Sequence, residues 1–157
     1  MDEKKGERDE IMIEAIRVTT EEELEKAFAI RKEVFVEEQG VPEENEIDEY
    51  DSLEAPCDHL LILVDQKPVG AGRIRFTNGF GKLERICVLK PYRKLGIGKV
   101  IVQELEKIAK EKGYSKVKLH SQTHANAFYE QLGYQIQSDV FYEEGIPHNL
   151  MVKTLKG

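Results

Sequence analysis

The chain has 157 residues, enough for one domain around a single core, with 40% hydrophobic and 8% aromatic residues. Lys and Arg number 23 against 30 Asp and Glu, a formal charge of −7, which argues against non-specific nucleic-acid binding. The longest aliphatic run, Leu60 to Val64, falls far short of the roughly 20 residues that cross a bilayer.

Residues 1–10 are almost wholly polar, lack the apolar stretch of a secretory signal, and read as a flexible tail before a domain at 11–157. Cys57 and Cys87 suggest neither a disulfide framework nor a zinc site, so no metal is expected. Reduced thiols in the cytoplasm are the matching expectation. Ile11 to Val18 is aliphatic enough for a strand. Thr19 and Thr20 followed by three glutamates suit a helix start, and apolar spacing predicts a helix over 21–38. The stretch 40–55 has no period and many acids; it reads as a long ordered loop, with room for a short helical turn.

Two strands follow at 59–66 and 69–77, with Lys67-Pro68 as the turn between them. Asn78-Gly79 predicts a second hairpin, because both residues tolerate positive φ. A third strand spans 82–89 and stops at Pro91. Ile97, Ile101, Leu105 and Ile108 then form a helical stripe ending at Gly113. A strand at 115–120 precedes a short helix carrying Ala125, Phe128, Tyr129 and Leu132, closed by Gly133. The tail alternates through two strands, 134–142 and 149–155. This order implies an α/β sandwich around one mixed sheet.

Charge is divided unevenly. Residues 85–103 hold Arg85, Lys90, Arg93, Lys94 and Lys99 and no acid. Within them, Arg93-Lys94-Leu95-Gly96-Ile97-Gly98 lies between a strand and a helix. Glycines there let the backbone turn sharply, and the first N–H groups of the helix make a ready phosphate site. The competing reading is a plain strand-to-helix turn with solvated bases. A P-loop fails because Val100 follows Gly98-Lys99, and a dinucleotide fingerprint fails because Ile101 replaces its third glycine.

ERICVLKPYRKLGIGKVIVQELE and HANAFYEQLGY together resemble the GNAT N-acetyltransferase family. IRKEVFVEEQGVPEENEIDEYD, followed by His59, is similar to its small bacterial YjcF/ElaA-like branch. The resemblance implies a single-domain α/β (α+β) fold, a mixed, mostly antiparallel sheet flanked by helices. It implies acetyl-CoA as co-substrate, a small amine as acceptor, and no nucleic-acid or membrane partner; a homodimer is compatible with it. Carried over by position, backbone groups of Ile86, Cys87 and Val88 would pair with the pantetheine arm. N–H groups from Arg93 through Leu95, Gly96 and Ile97 to Gly98 would hold the pyrophosphate. Side chains of Arg93, Lys94 and Lys99 could neutralise phosphates. Asn126 would hydrogen-bond the arm, with Phe128 packed beside it.

Acetyl transfer to an amine needs a base, an oxyanion stabiliser and an acid for the leaving thiolate. The resemblance, which sets a Tyr at this helix position near the thioester sulfur, makes Tyr129 the candidate acid, against a role as a core residue on its helical stripe. Glu84, expected to alternate with Ile86 and Val88 on one strand face, is a candidate base or a salt-bridged acid. His148, at the start of the last strand, is the second candidate base, or a capping or exposed residue; His120 and His124 could line the pocket. Residues 33–54 contain ten acids and no Lys or Arg; the resemblance sets this segment beside the acceptor site, so Glu38 and its neighbours either face a cationic amine or are solvated. Arg31, Arg73 and Arg75 are the alternative, as partners for an acceptor carboxylate. A non-catalytic acyl-CoA-binding module and a plain interaction domain compete with the enzyme reading.

Overall fold

Residues 11–156 are described by a computed structural model; the stretch 1–10, expected as a tail, lies outside them. β1 (Ile13–Arg17) leads into α1 (Glu21–Arg31). Thr20 caps that helix: its hydroxyl accepts from the Glu23 N–H at 3.1 Å while the Glu23 carboxylate accepts from the Thr20 N–H. The helix expected to reach residue 38 changes pitch. Lys32–Glu38 continue it as a π-helix, with the Gln39 N–H donating to the Val34 carbonyl at 3.0 Å, and this wider turn carries Phe35 and Glu38 to the site. A four-residue helix, α2 (Glu43–Glu46), is the only regular piece of the acidic stretch.

β2 (Cys57–Val64), β3 (Lys67–Thr77) and β4 (Phe80–Val88) form the expected antiparallel meander. Both turns place their two central residues at positive φ, Asp65-Gln66 in the first and Asn78-Gly79 in the second. The first turn therefore lies just before the expected Lys67-Pro68. Pro68 sits inside β3 at a bulge, where its missing N–H interrupts no regular ladder.

α3 (Ile97–Glu111) then crosses to β5 (Lys116–Gln122), which runs parallel to β4. After α4 (Asn126–Gln131), the expected long strand is two short ones, β6 (Gln135–Ile136) and β7 (Phe141–Glu143). Both pair with β8 (Ile146–Thr154). The result is an eight-stranded mixed sheet in the order β1-β2-β3-β4-β5-β8-β6, with β7 also on β8, mostly antiparallel and flanked by helices as expected. Ala27, Ile30 and Val34 cover Leu61, Ala71 and Cys87 on one face. On the other, Ile97, Ile101 and Leu105 of α3 cover Leu60, Ile62 and Ile74. Gly72 allows this close approach, since a Cβ there would stand 2.8 Å from Ile101 Cγ2. Among the described residues no helix is long and apolar enough to cross a membrane.

Buried ion pairs tie the acidic stretch to the sheet. Arg31 is 1% exposed and Arg73 2%. Arg31 donates to Glu46 at 2.7 Å and to both Asp51 oxygens, and Arg73 donates to Asp48, Asp51 and Glu84. Burial alone would raise the Asp51 carboxyl, but hydrogen bonds and charge from Arg31, then Arg73, hold it far below its usual range. Removing one member of such a network strands its partners as unpaired buried charges. Asp51→Ala is therefore expected to lower unfolding stability by about 3–5 kcal/mol, read from urea denaturation.

Glu84 behaves alike: burial opposes ionisation, yet the Arg73 charge and hydrogen bonds from Arg75 and Lys82 hold its carboxyl at about 2. Both carboxyls sit below their unfolded values. Their stabilisation is thus complete above the ordinary Glu value of 4.5; it is lost for Glu84 as pH falls through about 2 and for Asp51 at still lower pH. Urea midpoints measured across this range should fall steeply in the wild type; a flat profile would contradict the network's role.

Candidate active site

Pairing between β4 and β5 covers only Gly81–Leu83 against Val117–Leu119; beyond it the two strands part. The cause lies in β4. Its register against β3 passes from Arg73↔Glu84 to Ala71↔Cys87, so Arg85 and Ile86 together face Gly72, with Arg85 at φ 59°. Such a bulge bends the strand and increases its twist. The gap opens into a cavity of about 940 Å³ that is lined from both faces of the sheet.

The bulge overturns one expectation directly. Glu84 does not share a face with Ile86: it joins Arg73, Arg75 and Lys82, whereas Ile86 packs toward the α3 core. Triply paired and held at about 2, the Glu84 carboxylate is a weak base at neutral pH. Arg31 and Arg73, expected at an acceptor carboxylate, are committed to the buried network and do not line the cavity. Glu38 does line it, but its two oxygens accept from the Arg93 guanidinium at 2.8 and 2.7 Å.

On the α3 face, Lys94 (φ 71°) and Gly96 (φ 82°) turn the chain into the helix. Among the described residues, the backbone N–H groups of Lys94 through Lys99 meet no acceptor. Those of Lys94, Gly96, Ile97, Gly98 and Lys99 belong to lining residues, while the Leu95 side chain is exposed. Six consecutive free donors at the positive end of a 15-residue helix form an anion cradle. The Arg93 side chain is not part of it, because Nε donates to the Val88 carbonyl and both terminal nitrogens hold Glu38. Ile86, Cys87 and Val88 line the cavity where β4 has lost its β5 partner.

Phe128 also lines the cavity, its ring edge 3.2 Å from where a Gly98 Cβ would stand. Asn126 is placed differently from expectation. It lies outside the lining, its amide donates to Asn149 Oδ1 at 2.9 Å, and its own Oδ1 is a buried acceptor without a partner. Cys87 is buried, and desolvation pushes its thiol up to about 12, so no thiolate forms near neutrality.

Tyr129 lines the cavity and is 9% exposed. Its ring is wedged edge-on between Phe128 and Tyr134, with centroids 4.9 and 5.8 Å away. Burial, with a smaller contribution from Cys87, raises its hydroxyl above the ordinary phenol value. It stays protonated at neutral pH. Tyr129 is thus a member of the core and a lining residue of the cavity at once.

The opposite half of the cavity is built on the α1 face by His120, Gln122, His148 and Glu143, with Arg85 and Glu46 across from them. His148 lies within β8, opposite Gln122, and is 7% exposed, so it is neither a cap nor a surface residue. Its Nδ1–H donates to the Ile146 carbonyl at 2.7 Å, which leaves Nε2 as the free nitrogen. Sequence reasoning passed over Glu143 and Arg85. Glu143 was legible in Glu144-Gly145, a two-residue turn that sets it opposite Ile146. Nothing in the sequence marked the Arg85 bulge.

A helix N-terminus stripped of acceptors, beside a sheet that splays over it and a buried tyrosine, defines an acyl-group transferase of the GNAT type. The family comparison agrees, and the chain belongs to that family: the Acetyltransferase (GNAT) domain model matches residues 16–155. The chain is 55% identical over 139 residues to protein YyaT of Bacillus subtilis, covering 88% of this chain and 94% of that one. It is 48% identical over 142 residues to the N-acetyltransferase YjcF of the same organism, covering 90% and 99%. The crystal structure of Escherichia coli ElaA is similar with a TM-score of 0.79 at 26% identity, over 90% of this chain and 99% of that one. These are the family and the branch that the sequence resembles.

Proposed function

We propose that the enzyme moves an acetyl group from acetyl-CoA to a primary amine of a small molecule by direct attack in a ternary complex. The observation that carries this reading is the cavity itself. It joins an anion cradle on one face of the sheet to a polar chamber on the other, with Tyr129 lining the same space.

The residues present fit acetyl-CoA. Free N–H groups of Lys94 to Lys99 suit its pyrophosphate, and the unpaired edge of β4 at Ile86–Val88 suits the amide-bearing arm, as an added strand would. When bound, acetyl-CoA supplies an activated thioester carbonyl. Tyr129 holds a proton for the departing sulfur. His148 Nε2, the free nitrogen of an imidazole that lines the cavity, takes one from the amine. No acyl-enzyme is needed, since the cavity's thiol is protonated.

The reading is tested by thiol release from acetyl-CoA over a panel of primary amines. Amine-dependent release is expected. Tight acetyl-CoA binding without release under any amine would favour an acyl-CoA-binding module instead.

A further inference from the structure

We propose that Glu143 and His148 form the seat of the acceptor's ammonium group, with Glu143 Oε1 as its counter-charge and His148 Nε2 as the atom that takes its proton. The proposal rests on the acetyl-transfer reading above and assigns its acceptor subsite.

The β7–β8 turn builds the seat. Glu144 (φ 51°) and Gly145 (φ 75°) form a two-residue loop, so Glu143 lies opposite Ile146 and on the sheet face of His148. One Glu143 oxygen, Oε2, is 2.6 Å from His120 Nδ1. A carboxylate only accepts, so that nitrogen carries the proton. The other oxygen, Oε1, faces His148 Nε2 at 3.8 Å, too far for a direct hydrogen bond. Because Nδ1–H of His148 is spent on Ile146, neutral His148 presents a lone pair to a carboxylate oxygen. Two acceptors facing each other require a donor between or beside them. An R–NH3⁺ group brings three.

Charge bookkeeping across the cavity singles out the same carboxylate. Glu46 and Glu84 are bound by arginines, Glu38 by Arg93, and Glu144 lies at the exposed turn accepting from Asn45. Glu143 has only the two histidines within ion-pair distance among the described residues. The His120 hydrogen bond, against some burial, keeps it ionised well below neutral pH. The charged and titratable groups that line the same cavity from nearby elements include Lys82 and Arg85 on β4, Glu46 on α2 and His124 after β5. Phe141 fixes the imidazoles, stacked on His148 at 6.0 Å and edge-on to His120 at 5.0 Å. In the step itself, one N–H bond of the ammonium breaks and its electron pair stays on nitrogen. The proton forms Nε2–H of an imidazolium that Glu143 stabilises.

The test uses the full chain without acetyl-CoA. Propylammonium is titrated while the His Cε1–H signals are followed by NMR, in the wild type and in Glu143→Gln. A saturable shift of the His148 signal is expected, with affinity about 10–100-fold weaker in the variant, the scale of a charge-assisted hydrogen bond. In turnover, KM for the amine should rise by the same factor and KM for acetyl-CoA should hold. No saturable shift in the wild type, or equal affinity and an unchanged amine KM in Glu143→Gln, overturns the seat. Should Gln unfold the hairpin, Glu143→Asp keeps the charge but shortens its reach, and undiminished binding there overturns it equally. Failure of the acetyl-transfer reading looks different: propylammonium binding persists while no amine supports thiol release.

Discussion

Gly98→Glu is expected to abolish acetyl-CoA binding while the protein stays folded. A Cβ at this position would stand 3.2 Å from the Phe128 ring, so a longer side chain must push the ring aside or enter the cavity. Either way it carries a negative charge to the six unpaired N–H groups of Lys94–Lys99, where a pyrophosphate would lie. Repulsion and lost space act together. The helix itself tolerates the change, because an acid in the first turn suits its dipole. Calorimetry should show no binding heat for the variant, and CoA should raise the melting temperature of the wild type alone, since a ligand of the native state stabilises it. Gly98→Ala, whose methyl needs only a small ring shift, should bind with modest loss. Equal affinity in wild type and Gly98→Glu would remove the cradle from the donor site.

Tyr129→Phe is expected to lower kcat by about 10²-fold, the usual scale of a lost general acid, with acetyl-CoA affinity little changed. The substitution keeps the ring between Phe128 and Tyr134 and deletes only the oxygen. Burial raises the Tyr129 hydroxyl, which makes it a reliable proton carrier at neutral pH but a poor base. That suits the proposed place beside the departing sulfur rather than the incoming ammonium. Near-normal kcat in the variant would mean that water supplies the proton and that Tyr129 serves packing.

Periodicity carried most of the fold. The α3 stripe, the Asn78-Gly79 turn and the Gly113 stop are local patterns, and each stands where the residues place it. Long-range consequences were less legible. Ten acids in residues 33–54 suggest an acceptor-facing surface, yet Glu46, Asp48 and Asp51 turn inward to Arg31, Arg73 and Arg85. Charge counts along a chain do not reveal which charges meet. The bulge at Arg85 was hidden for a related reason: alternation assumes an unbroken pleat, and one residue at positive φ reverses every inference beyond it. Glu84 lost its expected face in this way. Asn126 shows a further limit, since helical spacing puts it near Tyr129 but cannot foretell that Asn149 holds its amide.

Direct transfer across one cavity is the centre of this account, and initial-rate kinetics test it most directly. Acetyl-CoA and a primary amine are varied together, and the double-reciprocal lines should intersect, because both substrates must occupy the cavity before thiol leaves. Parallel lines, with stoichiometric CoA released before any amine is added, would demand an acetylated side chain. The protonated, buried thiol of Cys87 gives no reason to expect one.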